Sequence, residues 1–512
     1  MRYFARSVLL PERLLMSSTD PIALFRQAVD RWPENIALVV EEEQLSYADL
    51  DRRSDAIAAE LVRAGAVGQR VVLIADRTTS WVFEAVLGIM KAGASCVPLL
   101  PEGPLDRWTS MLDRCGARLG LISPSGSEGA LRVERPHVEW IAPKSESNGM
   151  AGALPVPVSN DQEAYVLFTS GSTGGPKGVG VSRANLSAYL GHLLARYQFS
   201  ASDRFSQHFA LPFDLSFHDL FVCWASGATL CVRPESGWLR AAAWARSMGI
   251  TVWFSAPSLA GVMRRARALT AGALPSLRYS FFCGEALPWQ LAQDWRIAAP
   301  ASRIINLYGP TEATIAITSF EVLPDMATVQ GVVPIGRSIG SDRTLVAPFE
   351  GAPPGEGELL LSGPQVTKGY INAPEATQKA FVELPGQQGF WYRTGDHVRE
   401  DADGILHFVG RIDHQVKRFG QRIEPGEVDE ALQPLLDGGN AVSVPVLMNG
   451  ATQLVTFIDV AADVRLLMDQ LRTKLPVVYL PERIISLPEI PRNTNGKWDR
   501  VKLIQMAQHD AG

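Results

Sequence analysis

Apolar and polar positions alternate along this chain in blocks of two lengths, one suited to buried strands and one to helices. Arg70-Val71-Val72-Leu73-Ile74-Ala75 is a short, almost unbroken apolar run, the pattern of a strand covered on both faces. Residues 46–64 carry the mixed Ala, Asp and Arg texture of a helix. Residues 80–92 read as another helix, and Ala94-Ser95-Cys96-Val97-Pro98-Leu99 as the next strand. Strand, helix, strand in this rhythm predicts a parallel sheet with helices on its faces. Residues 228–233 and 251–254 are further candidate strands. Between 123 and 161 Ser, Pro and Gly accumulate, which predicts a connection between subdomains. From about residue 355 the pattern shortens to strands and turns, at 357–361 and 404–409. The last hundred residues mix a helix at 427–436, a strand at 442–446 and a helix at 464–475, an α+β texture. Pro445 restricts that strand to a sheet edge, because proline cannot donate to a ladder.

Composition narrows the class. In 512 residues, 46% are hydrophobic and 20% charged, with a formal charge of −6. These are the proportions of an ordinary globular protein, and nothing in the balance favours nucleic acid. No apolar stretch reaches the ~18 residues of a membrane-spanning helix. The short apolar run at 8–10 is broken by Pro11-Glu12-Arg13 and is too brief for a signal-peptide core. The five cysteines, Cys96, Cys115, Cys223, Cys231 and Cys283, contain no Cys-x-x-Cys pair and read as reduced thiols rather than disulfides or a zinc site. A cytoplasmic enzyme is the expectation.

Five segments carry chemistry. The apolar run 164–168 leads into Thr169-Ser170-Gly171-Ser172-Thr173-Gly174-Gly175-Pro176-Lys177-Gly178. Glycines let the backbone approach a ligand, hydroxyls and N–H groups face it, and phosphate oxygens are the natural partner of such a nest. The Gly-Lys-Ser/Thr ending of a P-loop is missing; a flexible linker is the alternative. Asn306-Leu307-Tyr308-Gly309-Pro310-Thr311-Glu312 follows a strand candidate at 302–305, and ligand sites of open α/β sheets lie at such strand ends. Glu312 suits Mg²⁺, which takes few protein carboxylates; the same turn is also a good helix start. Tyr392-Arg393-Thr394-Gly395-Asp396 places a carboxylate suited to a ribose diol, and Gly410-Arg411-Ile412-Asp413 adds a second Arg and Asp; solvated turns are the alternative for both. Last comes Asn493-Thr494-Asn495-Gly496-Lys497, a lysine at a turn.

In this order the five segments resemble the adenylate-forming superfamily of acyl-CoA ligases, luciferases and non-ribosomal peptide synthetase adenylation domains. The resemblance runs from Leu45-Ser46-Tyr47 to Lys497-Trp498-Asp499-Arg500 and is strongest to free-standing amino-acid adenylation proteins of the D-alanine–carrier-protein ligase type, a neighbourhood also suggested by Phe281-Phe282-Cys283-Gly284-Glu285-Ala286. It implies an α/β fold in two parts. Residues 1–412 would form a large ATP- and substrate-binding domain of layered α/β subdomains with a small barrel-like part. Residues 413–512 would form a small mobile α+β domain, with Asp413 as hinge. It further implies ATP and Mg²⁺. Thr169, Ser170, Gly171, Ser172, Thr173, Gly174 and Lys177 would wrap the phosphates. Gly284, Glu285 and Ala286, with Tyr308, would hold the adenine, and Gly309 would lie against the nucleotide. Thr311 would touch the α-phosphate, Glu312 would bind Mg²⁺, and Asp396 with Arg411 would take the ribose. Lys497 would bridge the substrate carboxylate and the nucleotide. Relatives turn the small domain between two half-reactions, exchanging the Lys497 face for one that contains Gly420.

The same resemblance places Asp214 on the α-ammonium of an amino acid; a helix cap before Leu215-Ser216-Phe217 is the alternative. The side-chain pocket would comprise Asp214, Leu215, His218, Phe254, Phe281, Cys283, Leu307, Ile315, Ala316 and Lys497. Two bulky phenylalanines in an apolar lining imply a small neutral side chain. His218 is either a donor to a substrate hydroxyl or a packed core histidine, and the Phe254 position is open to a one-residue slip to Trp253. Fifteen residues follow Lys497, too few for a carrier domain, so the expected partner is a phosphopantetheinyl carrier protein in trans, with coenzyme A the runner-up and a monomer the expected state. One departure from the family stands out: Lys417-Arg418-Phe419-Gly420 replaces the usual Lys-Ile-Arg-Gly, moving the arginine by one position.

Overall fold

The structure is a computed structural model that describes residues 19–74, 77–101, 104–121, 137–142, 156–169, 175–234, 240–326, 330–413, 415–418, 420–436, 438–448, 451–492 and 498–509. Two sheets dominate. The first has nine strands in the order Arg337–Ser338, Thr318–Val322, Arg303–Tyr308, Tyr279–Phe282, Val252–Ser255, Arg204–Gln207, Thr229–Val232, Ile36–Val40, Glu43–Ser46. Its interior pairs are parallel and its outer pairs antiparallel. The second has six strands, Glu139–Ile141, Leu119–Leu121, Arg70–Ile74, Ser95–Leu99, Glu163–Thr169 and Lys177–Ser182, parallel up to the last pair. The expected strand–helix–strand rhythm is therefore present.

Helices fill the space between these sheets. Every residue of Trp81–Lys91 is buried, including Glu84 and Lys91, which pair with Arg53 and with Asp51 and Asp55. Gly88 is where it approaches the helix Tyr47–Arg63: a Cβ there would come within 2.7 Å of Ile57 Cβ. The helix Leu215–Ala225 is buried from Leu215 through Trp224, and Phe217 stacks on Tyr165 of the six-stranded sheet with ring centroids 4.0 Å apart. Helix starts follow local chemistry. Ser46 caps Tyr47–Arg63 by accepting from Asp49 N, and Ser182 with Asn185 forms a reciprocal capping box before Arg183–Arg196.

Beyond these layers, Phe390–Glu400 pairs with Glu356–Ser362, Phe381–Glu383 and Leu406–Arg411, and Arg343–Pro348 completes an antiparallel five-stranded sheet whose register shifts curl it into the small barrel-like part. After Arg411 come the hairpin Val416–Arg418/Gln421–Ile423 and a three-stranded sheet with its own cores. Ala441–Met448, which contains Pro445, is an edge strand. The expected helix at 427–436 is shorter and earlier. It spans Pro425–Leu432 and gives way to a 3-10 turn at Gln433–Leu435, because Pro425 suits the first helical turn and Pro434 has no N–H for the ladder. The strand expected at 302–305 extends through Tyr308, because Ile304, Ile305 and Leu307 are buried and Asn306 is satisfied by the Val333 and Pro334 carbonyls. All five cysteines are buried and unpaired, and no described helix is long and apolar enough to cross a membrane.

Phe217 joins the two sheets through its stack on Tyr165 and is fully buried. Phe217→Ala is therefore expected to cost about 3–5 kcal/mol, read as a fall in the urea midpoint of the large part of the chain.

Candidate functional site

The parallel strands Tyr279–Phe282 and Arg303–Tyr308 end on one side of the nine-stranded sheet, and Glu163–Thr169 ends facing them. A cavity of about 650 Å³ opens there. Nine of the candidates line it: Thr169, Asp214, Leu215, Gly284, Gly309, Thr311, Glu312, Asp396 and Arg411. Ser170, Gly171, Ser172, Thr173, Gly174 and Lys497 lie outside the described residues.

At one end of the cavity Asp396 is almost fully buried. Tyr308 donates its hydroxyl to Asp396 Oδ2 at 2.5 Å, and Arg411 Nη1 donates to Oδ1 at 2.8 Å. Arg411 also forms a two-pronged pair with Asp413, and Asp413 Oδ1 accepts from Gln415 N. Strand pairing puts Asp396 directly opposite Arg411, so the barrel-like part pre-orients this carboxylate.

Glu312 is 1% exposed. Its Oε1 accepts from the Tyr370 hydroxyl at 2.8 Å and lies 3.4 Å from Arg422 Nη1, while Oε2 is buried with no hydrogen-bond partner. An unsatisfied, buried carboxylate oxygen fits a hard divalent cation. Lys177 sits nearby, its ammonium 5.2 Å over the Tyr370 ring; burial, then the Arg422 charge, hold its pKa below the usual lysine value.

Asp214 occupies the cap position before Leu215–Ala225 yet makes no cap hydrogen bond. Its Oδ2 instead accepts from Ile315 N at 3.1 Å. Burial pushes its carboxyl up to about 6, moderated by the Ile315 N–H and the Thr311 hydroxyl. The capping arrangement that the sequence allows is thus absent, and the carboxylate faces the cavity.

Behind Asp214 and Leu215, the other pocket candidates His218, Phe254, Phe281, Cys283, Leu307, Ile315 and Ala316 are all buried and none is on the cavity wall. Phe254 packs on His218 at 4.2 Å, whereas Trp253 points to the opposite face against His208 and Trp295. Strand alternation therefore sets the register at Phe254. His218 Nδ1 pairs with the Tyr189 hydroxyl at 2.6 Å, and burial drives its pKa down to about 3, so the ring is neutral. Burial likewise pushes the Cys283 thiol up to about 12, so it is no nucleophile.

The far wall of the cavity belongs to the last hundred residues. Lys417 and Arg422 are cross-strand partners on one face of the hairpin. Lys417 Nζ lies 5.4 Å over the Tyr308 ring, and Arg422 reaches Glu312. Arg418, on the other face, bonds the Val478 and Leu480 carbonyls and Glu482. Gly420 N donates to Glu285 Oε1 at 3.1 Å, and Glu285 Oε2 accepts from Ser258 N. The Glu285 carboxylate thus anchors the hairpin, and neither Glu285 nor the exposed Ala286 is on the cavity wall. Gly284 and Gly420 pack so closely that a Cβ on Gly284 would lie 3.1 Å from Gly420 Cα. Arg107 adds a tie to Glu427 at 2.9 Å and stacks over Tyr479. Trp498 packs on Arg492, and Arg500 bonds Ser443 O, none of them on the cavity wall.

Sequence reasoning missed Tyr189, Gln365, Tyr370 and Arg422. Tyr189 and Tyr370 look like core aromatics, and Gln365 sits in an unremarkable turn. Arg422 had a signal: in a tight hairpin it must share a face with Lys417.

Relatives fit this geometry. The sequence pattern of the AMP-binding enzymes matches residues 25–371. The chain belongs to that family. It is an adenylate-forming ligase by fold and by sequence. It is 31% identical to the D-alanine–D-alanyl carrier protein ligase of Lactiplantibacillus plantarum, over 92% of this chain and 96% of that protein. It is 33% identical to one of the plipastatin synthase polypeptides of Bacillus subtilis over 94% of its own length, spanning 19% of that larger protein. Among solved structures, the Vibrio cholerae adenylation domain AlmE, in complex with glycyl-adenosine-5'-phosphate, superposes with a TM-score of 0.82 at 28% identity, over 98% of this chain and 100% of that one.

In this ligase Gly309 leaves no room for a side chain. A Cβ would meet Ala316 Cα at 2.7 Å and Ile315 O at 2.9 Å, both backbone. Gly309→Ala is expected to cost about 1–3 kcal/mol and to displace the 315–316 segment; an unchanged melting temperature together with unchanged nucleotide binding by calorimetry would show that the segment yields freely.

Proposed function

We propose that this ligase activates a small neutral amino acid with ATP, forming aminoacyl-AMP and pyrophosphate, and passes the acyl group to the phosphopantetheine thiol of a separate carrier protein. The observation that carries the reading is Asp214. A buried carboxylate, excused from helix capping and facing the cavity beside Thr311 and Glu312, suits a substrate ammonium and would be costly against an acid that lacks one. The rings of Phe254, Phe281 and His218 pack on one another behind it, which favours a short side chain over a long one. The glycyl adenylate held by the AlmE structure is consistent with that size.

The chemistry is alignment and charge neutralisation. A carboxylate oxygen is a poor leaving group, so the substrate carboxylate attacks the α-phosphorus and pyrophosphate departs. Thr311 and the 169–177 segment would donate to phosphate oxygens, Asp396 would take the ribose hydroxyls, and Lys497 would reduce carboxylate–phosphate repulsion. Mg²⁺ held at Glu312 would supply neutralisation of the phosphate charge. A thiol then attacks the acyl carbon and AMP leaves.

We assign residues 1–412 and 413–512 to two bodies that turn about Asp413. The docked Gly420 hairpin suits the second half-reaction, because it brings Lys417 and Arg422 into the cavity and the contacts of Trp498 and Arg500 lie elsewhere. Between Trp108 and Met111 on one side and Met468 and Val478 on the other, the cavity wall is apolar, which suits a pantetheine arm.

Amino-acid-dependent ATP–pyrophosphate exchange over a panel of small amino acids tests the reading; no exchange with any of them overturns it, and product with coenzyme A but not with carrier protein would assign an acyl-CoA ligase. Asp214→Ala should cost on the order of 10²-fold or more in kcat/KM for the amino acid. Only the ionised carboxylate attracts an ammonium, so with its pKa near 6, kcat/KM should fall about tenfold per pH unit below that value and level off above it; Asp214→Asn should remove this acid limb. Lys497→Ala should slow exchange by about 10²–10³ while calorimetry still detects ATP binding.

A further inference from the structure

Five non-glycine residues among those described have positive φ, and only Thr314 (53°) and Ile315 (69°) are adjacent. Both are β-branched, the side chains least suited to that region. Ala316 N donates to Thr314 O at 2.8 Å, closing a three-residue γ-turn centred on Ile315. With positive φ at its centre this turn is the rare, strained form. Such strain persists only where surrounding groups over-determine it, and it marks functional segments. The turn is also what aims Ile315 N at Asp214 Oδ2.

Gln365 holds the turn from behind. Gln365 is 1% exposed and belongs to none of the sheets or helices. Its Nε2 donates to Ala316 O at 2.7 Å and lies 3.2 Å from Thr314 O, the two carbonyls that flank Ile315. Its backbone carbonyl accepts from Thr314 Oγ1 at 2.6 Å. Gln365 is held in turn: its backbone N donates to Asp342 Oδ1 at 3.1 Å. A chain of hydrogen bonds therefore runs from Asp342 through Gln365 and the γ-turn to Asp214, ending at the cavity.

We infer that Gln365 is a positioning residue for amino-acid recognition: it clamps the strained turn at Ile315 so that the Ile315 N–H fixes Asp214 Oδ2 and turns the carboxylate toward the substrate ammonium. The inference rests on the amino-acid reading of Asp214. Gln365 itself is not on the cavity wall. It lies behind the turn, and its effect passes entirely through Asp214. Without the clamp the β-branched pair relaxes to negative φ, the Ile315 N–H swings away, and Asp214 loses the donor that orders it.

A double-mutant cycle on the full-length protein tests this with ATP–pyrophosphate exchange. Gln365→Leu, similar in volume but without donors, should raise KM for the best amino acid about tenfold, the cost typical of one lost buried hydrogen-bond donor, and leave KM for ATP within about twofold. A purely structural lesion would move both constants together. The decisive measurement is Gln365→Leu/Asp214→Ala: the double variant should bind the amino acid no worse than Asp214→Ala alone, because residues acting as a unit are not additive. Additive losses, or parallel changes in the two KM values, overturn the inference. If Gln365→Leu does not fold, Gln365→Asn, which withdraws the amide by one methylene, enters the same cycle with the same expectation. A wild-type protein that exchanges with no amino acid overturns the activity reading itself, whereas wild-type exchange with additive losses overturns only the role of Gln365.

Discussion

Burying a carboxylate without neutralising it is the constraint around which this molecule is arranged. Asp214 and Glu312 are both withdrawn from water at the carboxyl ends of the parallel strands, and one Glu312 oxygen has no hydrogen-bond partner. An isolated charge in such a place costs several kcal/mol. Each carboxylate is therefore met by something nearby: Ile315 N–H at Asp214, Tyr370 and Arg422 at Glu312. Both residues line the same cavity. A site that carries unmet negative charge in a low-dielectric pocket is prepared for cationic groups.

The two parts of the chain meet through the same electrostatics. Glu285 accepts from Gly420 N, Arg422 reaches Glu312, and Arg107 pairs with Glu427. These contacts are largely polar, joined by the close approach of Gly284 and Gly420 and by Lys417 and Arg107 over tyrosine rings, unlike the continuous apolar packing within each part. Interfaces of that kind release readily, which accords with the proposed turning of the small body. Arg422 and a divalent cation would compete for one carboxylate, so the docked hairpin and a metal-loaded Glu312 oppose each other by simple repulsion.

Much of this was legible in the sequence. Apolar runs of five or six residues marked the buried strands, because both faces of a parallel strand are covered and no polar position interrupts them. Gly309-Pro310-Thr311-Glu312 and Asp396 stood out because turn residues beside carboxylates at strand ends have a chemical use. Other features were harder to see. Asp214 admitted both a ligand and a cap, since both uses want a short acid at a helix start; its motif position favoured the ligand, and the side chain makes no cap hydrogen bond. The displaced arginine of the Lys417–Gly420 segment looked like a loss. In the structure Arg418 turns inward to Glu482, and Arg422 takes the place beside the site that cross-strand pairing offers it.

Sequence by itself determined the alternating layers, because each run depends on residues close together, and the family to which the chain belongs, because short motifs recur in a fixed order along it. Tertiary structure alone decided what lies between distant segments: the Tyr189–His218 pair across 29 positions, the Gln365 clamp on the 314–316 turn across about 50, and the Arg422–Glu312 contact across 110. None of these has a periodicity or a spacing to betray it. They exist because folding brings a polar group to the one buried partner that satisfies it, and that match is a property of three-dimensional proximity rather than of sequence order.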